Sequence, residues 1–295
     1  MGKKKKRGII DGSFKSANGT VLRYTDRGAG KVVVFLHGIF QDRHALSAMA
    51  DRLSYKASCR CVTMELRGHG RARGVTDFSL DSQAGDIDSL ITHLHQEEVT
   101  LAGYSFGAYS ILNYLKHFGD SRVKAIALMD ISPKILSDDD WKLGIMDGGY
   151  GEGEWKNDLV RIKDDFRGFV ANFIYRAAAV PPAGGYKDEP PIWAYLSIPM
   201  VTSLDDKAKA SAYALWEAMA QADYIGLLDT IAVPALIVCA VPGSLFPPEA
   251  SEYMSEKIGS NARLVRVGGS GKKAVSHRDL IEHRREIVSE LVKLL

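Results

Sequence analysis

Residues 103–107 read Gly-Tyr-Ser-Phe-Gly, and their types and spacing point more directly to covalent chemistry than any other segment of the chain. A strand-like apolar segment precedes them and a helical pattern begins near Ala108, the context expected of a nucleophile elbow. So abrupt a turn leaves no room for side chains at Gly103 or Gly107. Ser105 would stand at a helix N-terminus, where N–H groups and the helix dipole favour a developing anion. The pattern predicts a nucleophilic serine; the alternative is a glycine-rich helix start without chemistry.

A second candidate element follows the most strongly apolar segment, residues 32–36. His37 and Gly38 form a turn there. The next backbone N–H, that of Ile39, could point at an oxyanion together with the N–H of Phe106, and the two would form an oxyanion hole. We interpret His37 itself as a structural residue that holds the loop rather than as a base.

The sequence resembles the α/β-hydrolase superfamily in these two segments, in Arg-Gly-His-Gly at residues 67–70, and in a late histidine ahead of the final helix. The resemblance extends from about residue 14 to residue 295. It implies an α/β fold, with a mostly parallel central sheet flanked by helices and a helical lid insertion. It also implies a catalytic triad in the chain order serine, acid, histidine.

The base of such a triad should come late in the chain, and the only histidines after Pro133 are His277 and His283. His277 stands in a loop just before the final predicted helix, where the resemblance places the catalytic histidine. His283 lies within that helix beside two arginines, which is typical of a solvated face. We therefore predict His277 as the general base.

The acid is where the sequence departs from the superfamily pattern. The expected carboxylate position after the apolar segment 235–240 falls on Gly243 or Ser244, and neither supplies an anion. Asp130, directly after the predicted strand 125–129, is the replacement candidate. The resemblance supports it, because lactone hydrolases of the zearalenone type place their acid after this strand. A Ser–His dyad without an acid and a carboxylate from the insertion are the alternatives.

Short apolar segments alternate with amphipathic ones along most of the chain, which is typical of βαβ units. The alternation stops at residues 133–228, which hold 13 of the 26 aromatic residues and all four tryptophans. We predict a basic tail at 1–13, a hydrolase core at 14–132 and 229–295, and a helical lid at 133–228. Aromatic side chains would line the substrate pocket, or alternatively form only the insertion's own core; the predicted pocket residues are Phe40, Tyr104, Trp141, Trp155, Trp193, Trp216 and Phe246.

The net charge of +2 depends on the tail, because residues 3–7 contribute five positive charges. Without them 33 basic residues face 36 acidic ones, so the folded body has a net charge of −3 and does not suit nucleic-acid binding. The three cysteines fit a reducing compartment, and no apolar run approaches the ~20 residues of a membrane helix. We therefore expect a cytoplasmic protein without a membrane span. No residue pattern suggests a metal, nucleotide or flavin site, and the oligomeric state stays open.

These residues predict a cofactor-free serine hydrolase that cleaves a carboxylic ester or lactone of a bulky, largely apolar small molecule. The same site could instead serve C–C bond hydrolysis, acyl transfer or peracid formation. A binding protein or receptor built on a hydrolase frame, slow or inactive because its acid is displaced, is the alternative from another class.

Overall fold

The computed structural model describes residues 8–72, 75–179, 189–243, 245–269 and 273–295. The basic run of the predicted tail and Ser244 lie outside the described residues. No helix in these ranges is long and apolar enough to cross a membrane.

One eight-stranded sheet forms the centre of the molecule, in the order β1-β2-β4-β3-β5-β6-β7-β8. The pairings β1–β2 and β2–β4 are antiparallel, and all the others are parallel. The strands are β1 (Ile10–Lys15), β2 (Val21–Gly28), β3 (Val32–Leu36), β4 (Arg60–Met64), β5 (Val99–Tyr104), β6 (Val123–Met129), β7 (Ala235–Val241) and β8 (Ala262–Gly268).

The sheet begins before the boundary that the sequence suggested. Ile10 to Lys15 pair with β2, and the Phe14 side chain is buried. Residues 10–13, assigned above to the tail, therefore belong to the sheet edge. The reason is that the basic run ends at Arg7, after which the chain can hydrogen-bond along β2.

Helices cover both faces of the sheet. In the part of the chain that the structure describes they are α1 (Ser47–Ala57), α2 (Leu80–His93), α3 (Phe106–Phe118), α4 (Glu152–Asp164), α5 (Phe166–Ala178), α6 (Ile192–Val201), α7 (Asp206–Ala220), α8 (Pro248–Ile258) and α9 (Arg284–Leu294). Short 3₁₀ turns occur as well, among them Arg278–His283.

Alternate residues of the central strands pack into two different cores. On β3, Val33 and Phe35 pack with α1 and α9, whereas Val34 and Leu36 pack with α2, α3 and α8. All five residues of β3 are buried, as expected for a parallel strand covered on both faces. The core that contains Val34 and Leu36 continues into the helical insertion, residues 133–228, which contains α4 to α7.

Candidate active site

Ser105 stands at the turn between β5 and α3. Its backbone has φ 52° and ψ −121°, a conformation that L-residues rarely adopt. The two glycines of the motif are explained by close approach: a Cβ on Gly103 would lie 2.4 Å from the backbone of Ala108, and one on Gly107 would lie 2.1 Å from the Leu36 carbonyl oxygen. The sharp strand-to-helix turn expected of a nucleophile elbow is therefore present.

His277 and Asp130 meet at the carboxyl edge of the sheet. The His277 Nδ1–H donates to Asp130 Oδ2 at 2.6 Å, and both side chains are buried. Because a carboxylate only accepts hydrogen bonds, Nε2 is the ring nitrogen turned away from Asp130. The second carboxylate oxygen, Oδ1, accepts the N–H of Ala240 at 3.0 Å. The carboxylate is thus held between β7 and the imidazole.

Gly243 lies beyond the end of β7, at the position where the superfamily pattern expects the acid. Its φ is +89°, and a Cβ there would lie 2.6 Å from the carbonyl oxygen of Phe246. Any side chain at this position would therefore be strained. Asp130, after the neighbouring strand β6, contacts the histidine instead.

Two aromatic rings hold His277. The Tyr104 ring stacks on the imidazole with centroids 4.8 Å apart, and its hydroxyl donates to the His277 carbonyl oxygen at 2.8 Å. Burial, and next the charge of Asp130, raise the pKa of Tyr104, so its hydroxyl keeps its proton. Phe246 meets the imidazole edge-on with centroids 5.6 Å apart.

The loop after β3 is held by His37. The Leu66 N–H donates to His37 Nε2 at 3.1 Å, and His37 Nδ1–H donates to the Gly38 carbonyl oxygen at 2.9 Å. Burial lowers the pKa of His37 to about 4, so the imidazole is neutral near pH 7. These bonds occupy both nitrogens, which suits the structural role expected from the sequence. Among the described residues, no protein group accepts a hydrogen bond from the backbone N–H of Ile39 or of Phe106.

A cavity of about 570 Å³ opens above these groups. Ser105, His277, Ile39, Phe40 and Tyr104 line its floor, and the helical insertion forms its opposite wall. The wall residues come from α5, α6 and α7 and are mostly small or aliphatic; they include Phe173, Ile174, Ala177, Pro199, Met200, Val201, Ala208, Ser211, Ala212 and Leu215.

Known proteins resemble this chain in sequence and in fold. Residues 31–160 match the family model described as alpha/beta hydrolase fold. Non-heme chloroperoxidase CPO-A1 of Kitasatospora aureofaciens is 26% identical over 283 residues, which cover 90% of this chain and 96% of the relative. The chain has the α/β-hydrolase fold.

Two solved structures agree with this fold. An esterase from Exiguobacterium antarcticum, EaEST, superimposes with a TM-score of 0.78 at 22% identity, over 96% of this chain and 98% of the esterase. The enol-lactonase from Burkholderia xenovorans LB400 gives a TM-score of 0.72 at 18% identity, over 96% of this chain and 99% of the lactonase. The predicted fold class is confirmed.

Five of the seven residues predicted to line the pocket are absent from the cavity lining in the described parts of the chain. Trp216 packs edge-on against Phe173 inside the insertion, and its indole N–H donates to the Tyr150 hydroxyl at 2.7 Å. Trp141 donates to the Lys134 carbonyl oxygen and contacts Tyr253. Both rings are almost fully buried among protein side chains, which is favourable for large apolar groups.

The remaining three predicted residues also lie outside the cavity lining. Trp155 packs partly buried against the core, and Trp193 faces Tyr175 while staying 39% exposed. Phe246 contacts His277 rather than the cavity. The cavity-lining residues of α7 were not predicted from the sequence. The signal for them is their spacing on one helix face, at Ala208, Ser211, Ala212 and Leu215.

Proposed function

We propose that this α/β hydrolase is a serine hydrolase that cleaves esters or lactones of bulky, largely apolar small molecules. Ser105 is the nucleophile, His277 the general base and Asp130 the acid of the triad. The observation that carries the proposal is the 2.6 Å bond between His277 and Asp130 beside a cavity that Ser105 and His277 both line.

In the proposed mechanism Ser105 Oγ attacks the substrate carbonyl while His277 Nε2 takes its proton. The N–H groups of Ile39 and Phe106 hold the oxyanion, and one such donor is typically worth about 3 kcal/mol. The alcohol leaves with the proton from His277. Water, activated by the same nitrogen, then releases the acid and restores Ser105.

Asp130 supports this cycle electrostatically. It receives the Nδ1–H, fixes the imidazole orientation and stabilises the imidazolium that forms during attack. The bond from Ala240 keeps the carboxylate aimed at the ring.

The substrate class follows from the cavity wall. The residues that α5, α6 and α7 contribute carry no charge, and most are apolar. In this proposal the helical insertion acts as the lid over the acyl or alcohol part. The buried free thiols of Cys59, Cys61 and Cys239 suit a cytoplasmic enzyme.

A second candidate is peracid formation, which the similarity to the chloroperoxidase favours. In that reaction hydrogen peroxide replaces water, attacks the acyl-serine and leaves as the peracid while Ser105 regains its proton. The first half-reaction and its residues are unchanged.

A substrate screen tests both candidates. Purified protein and its Ser105→Ala variant are given aryl esters and lactones of graded size, with and without hydrogen peroxide. We expect turnover that disappears in the variant, with acid as the product in water. If peracid forms faster in the presence of hydrogen peroxide than acid forms in water, the second candidate is favoured. Equal activity of wild type and Ser105→Ala would refute the proposal.

A further inference from the structure

Ser211 is a polar residue in an apolar part of the cavity wall. It lies on α7 between Ala208 and Leu215, on the helix face that lines the cavity, and is 2% exposed. Ala208 and Ala212 beside it are small residues of the same lining. A ligand that fills the cavity would therefore contact the helix face that carries Ser211.

The Ser211 hydroxyl has no hydrogen-bond partner among the described residues. Three other helical serines donate to the carbonyl oxygen four residues earlier: Ser89 to Gly85 at 2.7 Å, Ser110 to Phe106 at 3.0 Å and Ser197 to Trp193 at 2.9 Å. Such bonds are the usual solution for serine within a helix. Ser211 lacks the equivalent bond. A buried, unpaired hydroxyl is unfavourable and calls for a physical reason.

Binding of a substrate oxygen would explain why the Ser211 hydroxyl has no partner in the protein. The Ser211 oxygen is covered by the wall, but serine rotates about a single side-chain angle and can turn toward a ligand without movement of the helix. A hydroxyl both donates and accepts, so it pairs with another neutral group. The charged lining residues Asp42 and Arg278 lie outside α5, α6 and α7. The wall around Ser211 therefore favours an uncharged partner over an ionic one.

We propose that Ser211 determines specificity by binding an uncharged oxygen, hydroxyl or carbonyl, on the apolar part of the substrate. The preferred substrates are then oxygen-substituted esters or lactones rather than plain hydrocarbon ones. This inference rests on the proposed hydrolase function.

The test compares pairs of aryl esters that differ by one hydroxyl or keto group, placed at successive carbons of the acyl chain. For each pair the ratio of kcat/KM, substituted over plain, is measured in wild type and Ser211→Ala. We expect wild type to prefer the substituted ester about tenfold at one position, and the variant to lose that preference. Ser197→Ala is the matched control: its serine also lines the cavity but is already bonded, so the ratio should persist.

Thermal unfolding separates this role from a structural one. Ser211→Ala should unfold at the same or a higher temperature, because it removes an unpaired buried hydroxyl. A drop of several degrees, or an unchanged ratio in a variant that still turns over esters, would refute the inference and leave the hydrolase proposal intact. If wild type neither hydrolyses any ester nor reacts with a fluorophosphonate at Ser105, both proposals fall.

Discussion

Asp130 has a backbone suited to its proposed role. Its φ of +56° is tolerated by aspartate better than by most residues, and it turns the carboxylate toward His277. The backbone N–H of Asp130 donates to Val238 at 2.7 Å, and one of its side-chain oxygens accepts from Ala240. Both bonds tie it to β7, the strand after which the superfamily pattern expects the acid.

Asp130→Asn should lower kcat by about 10²–10⁴ with little change in KM. The amide keeps the size but lacks the charge that stabilises the imidazolium. Steady-state kinetics on the best ester measures this. Asp88→Asn removes a charge that pairs with Arg122, at the opposite end of β6 from Asp130, and is the control that should keep the wild-type rate. Wild-type kcat in Asp130→Asn would favour a Ser–His dyad.

Tyr104 should act as a positioning residue for His277. Tyr104→Phe removes only the hydroxyl bond to the His277 carbonyl, so kcat should fall about 2–10-fold. Tyr104→Leu also removes the stacked ring and should cost more, again in kcat rather than KM. Steady-state kinetics on both variants, with thermal unfolding to show that each is folded, checks that the leucine variant loses more kcat than the phenylalanine variant. Equal kcat in wild type and the leucine variant would contradict it.

Chain order and local chemistry are the sequence features from which single site residues can be predicted. Asp130 follows a strand next to β5, so its approach to the histidine could be predicted. The strain at Gly243 could not be predicted from the sequence, because it depends on the position of the Phe246 carbonyl oxygen. An aspartate introduced at Gly243 is for the same reason unsuited to replace Asp130.

At the scale of elements, the elbow requires close packing of α3 against β3. Gly107→Ala should therefore lower the free energy of unfolding by about 3 kcal/mol or more, because the added Cβ would lie 2.1 Å from the Leu36 carbonyl oxygen. Gly85→Ala in α2 is the control: its Cβ meets nothing within 4 Å, and alanine favours the helix by about 1 kcal/mol. Urea unfolding compares them. Equal stability of Gly107→Ala and wild type would show that the turn has room.

The helices of the insertion could be predicted, but their orientation could not. Trp216 and Leu215 are neighbours in sequence, yet one packs against Phe169 and the other lines the cavity. Which of them faces the substrate depends on how α5 and α7 cross. The aromatic content therefore did not identify the pocket-lining residues, and Trp216 instead packs in the insertion's own core, the alternative that the sequence left open.

For the whole molecule, His37 couples stability to pH. Its pKa is about 4 when folded against 6.5 ordinarily, because burial disfavours the charged form. Below pH 6.5 the unfolded chain binds this proton and the folded one does not, so stability is lost as the pH falls toward 4. The loss attributable to His37 is about 3 kcal/mol.

Urea unfolding at several pH values between 7 and 4 measures this loss. His37→Gln should be less stable at pH 7, since it disturbs the loop after β3, but its stability should fall less steeply with pH. Parallel slopes for the two proteins would assign the acid sensitivity to other groups.

That Ser105 is an activated nucleophile is tested most directly by reaction with a fluorophosphonate, followed by mass spectrometry of the labelled peptide. We predict one label per chain, on Ser105, formed rapidly in wild type, much more slowly in His277→Ala and not at all in Ser105→Ala. The peptide spanning residues 103–107 would carry the added mass. Absence of label at Ser105 in folded wild type, or an undiminished rate in His277→Ala, would contradict the proposed mechanism.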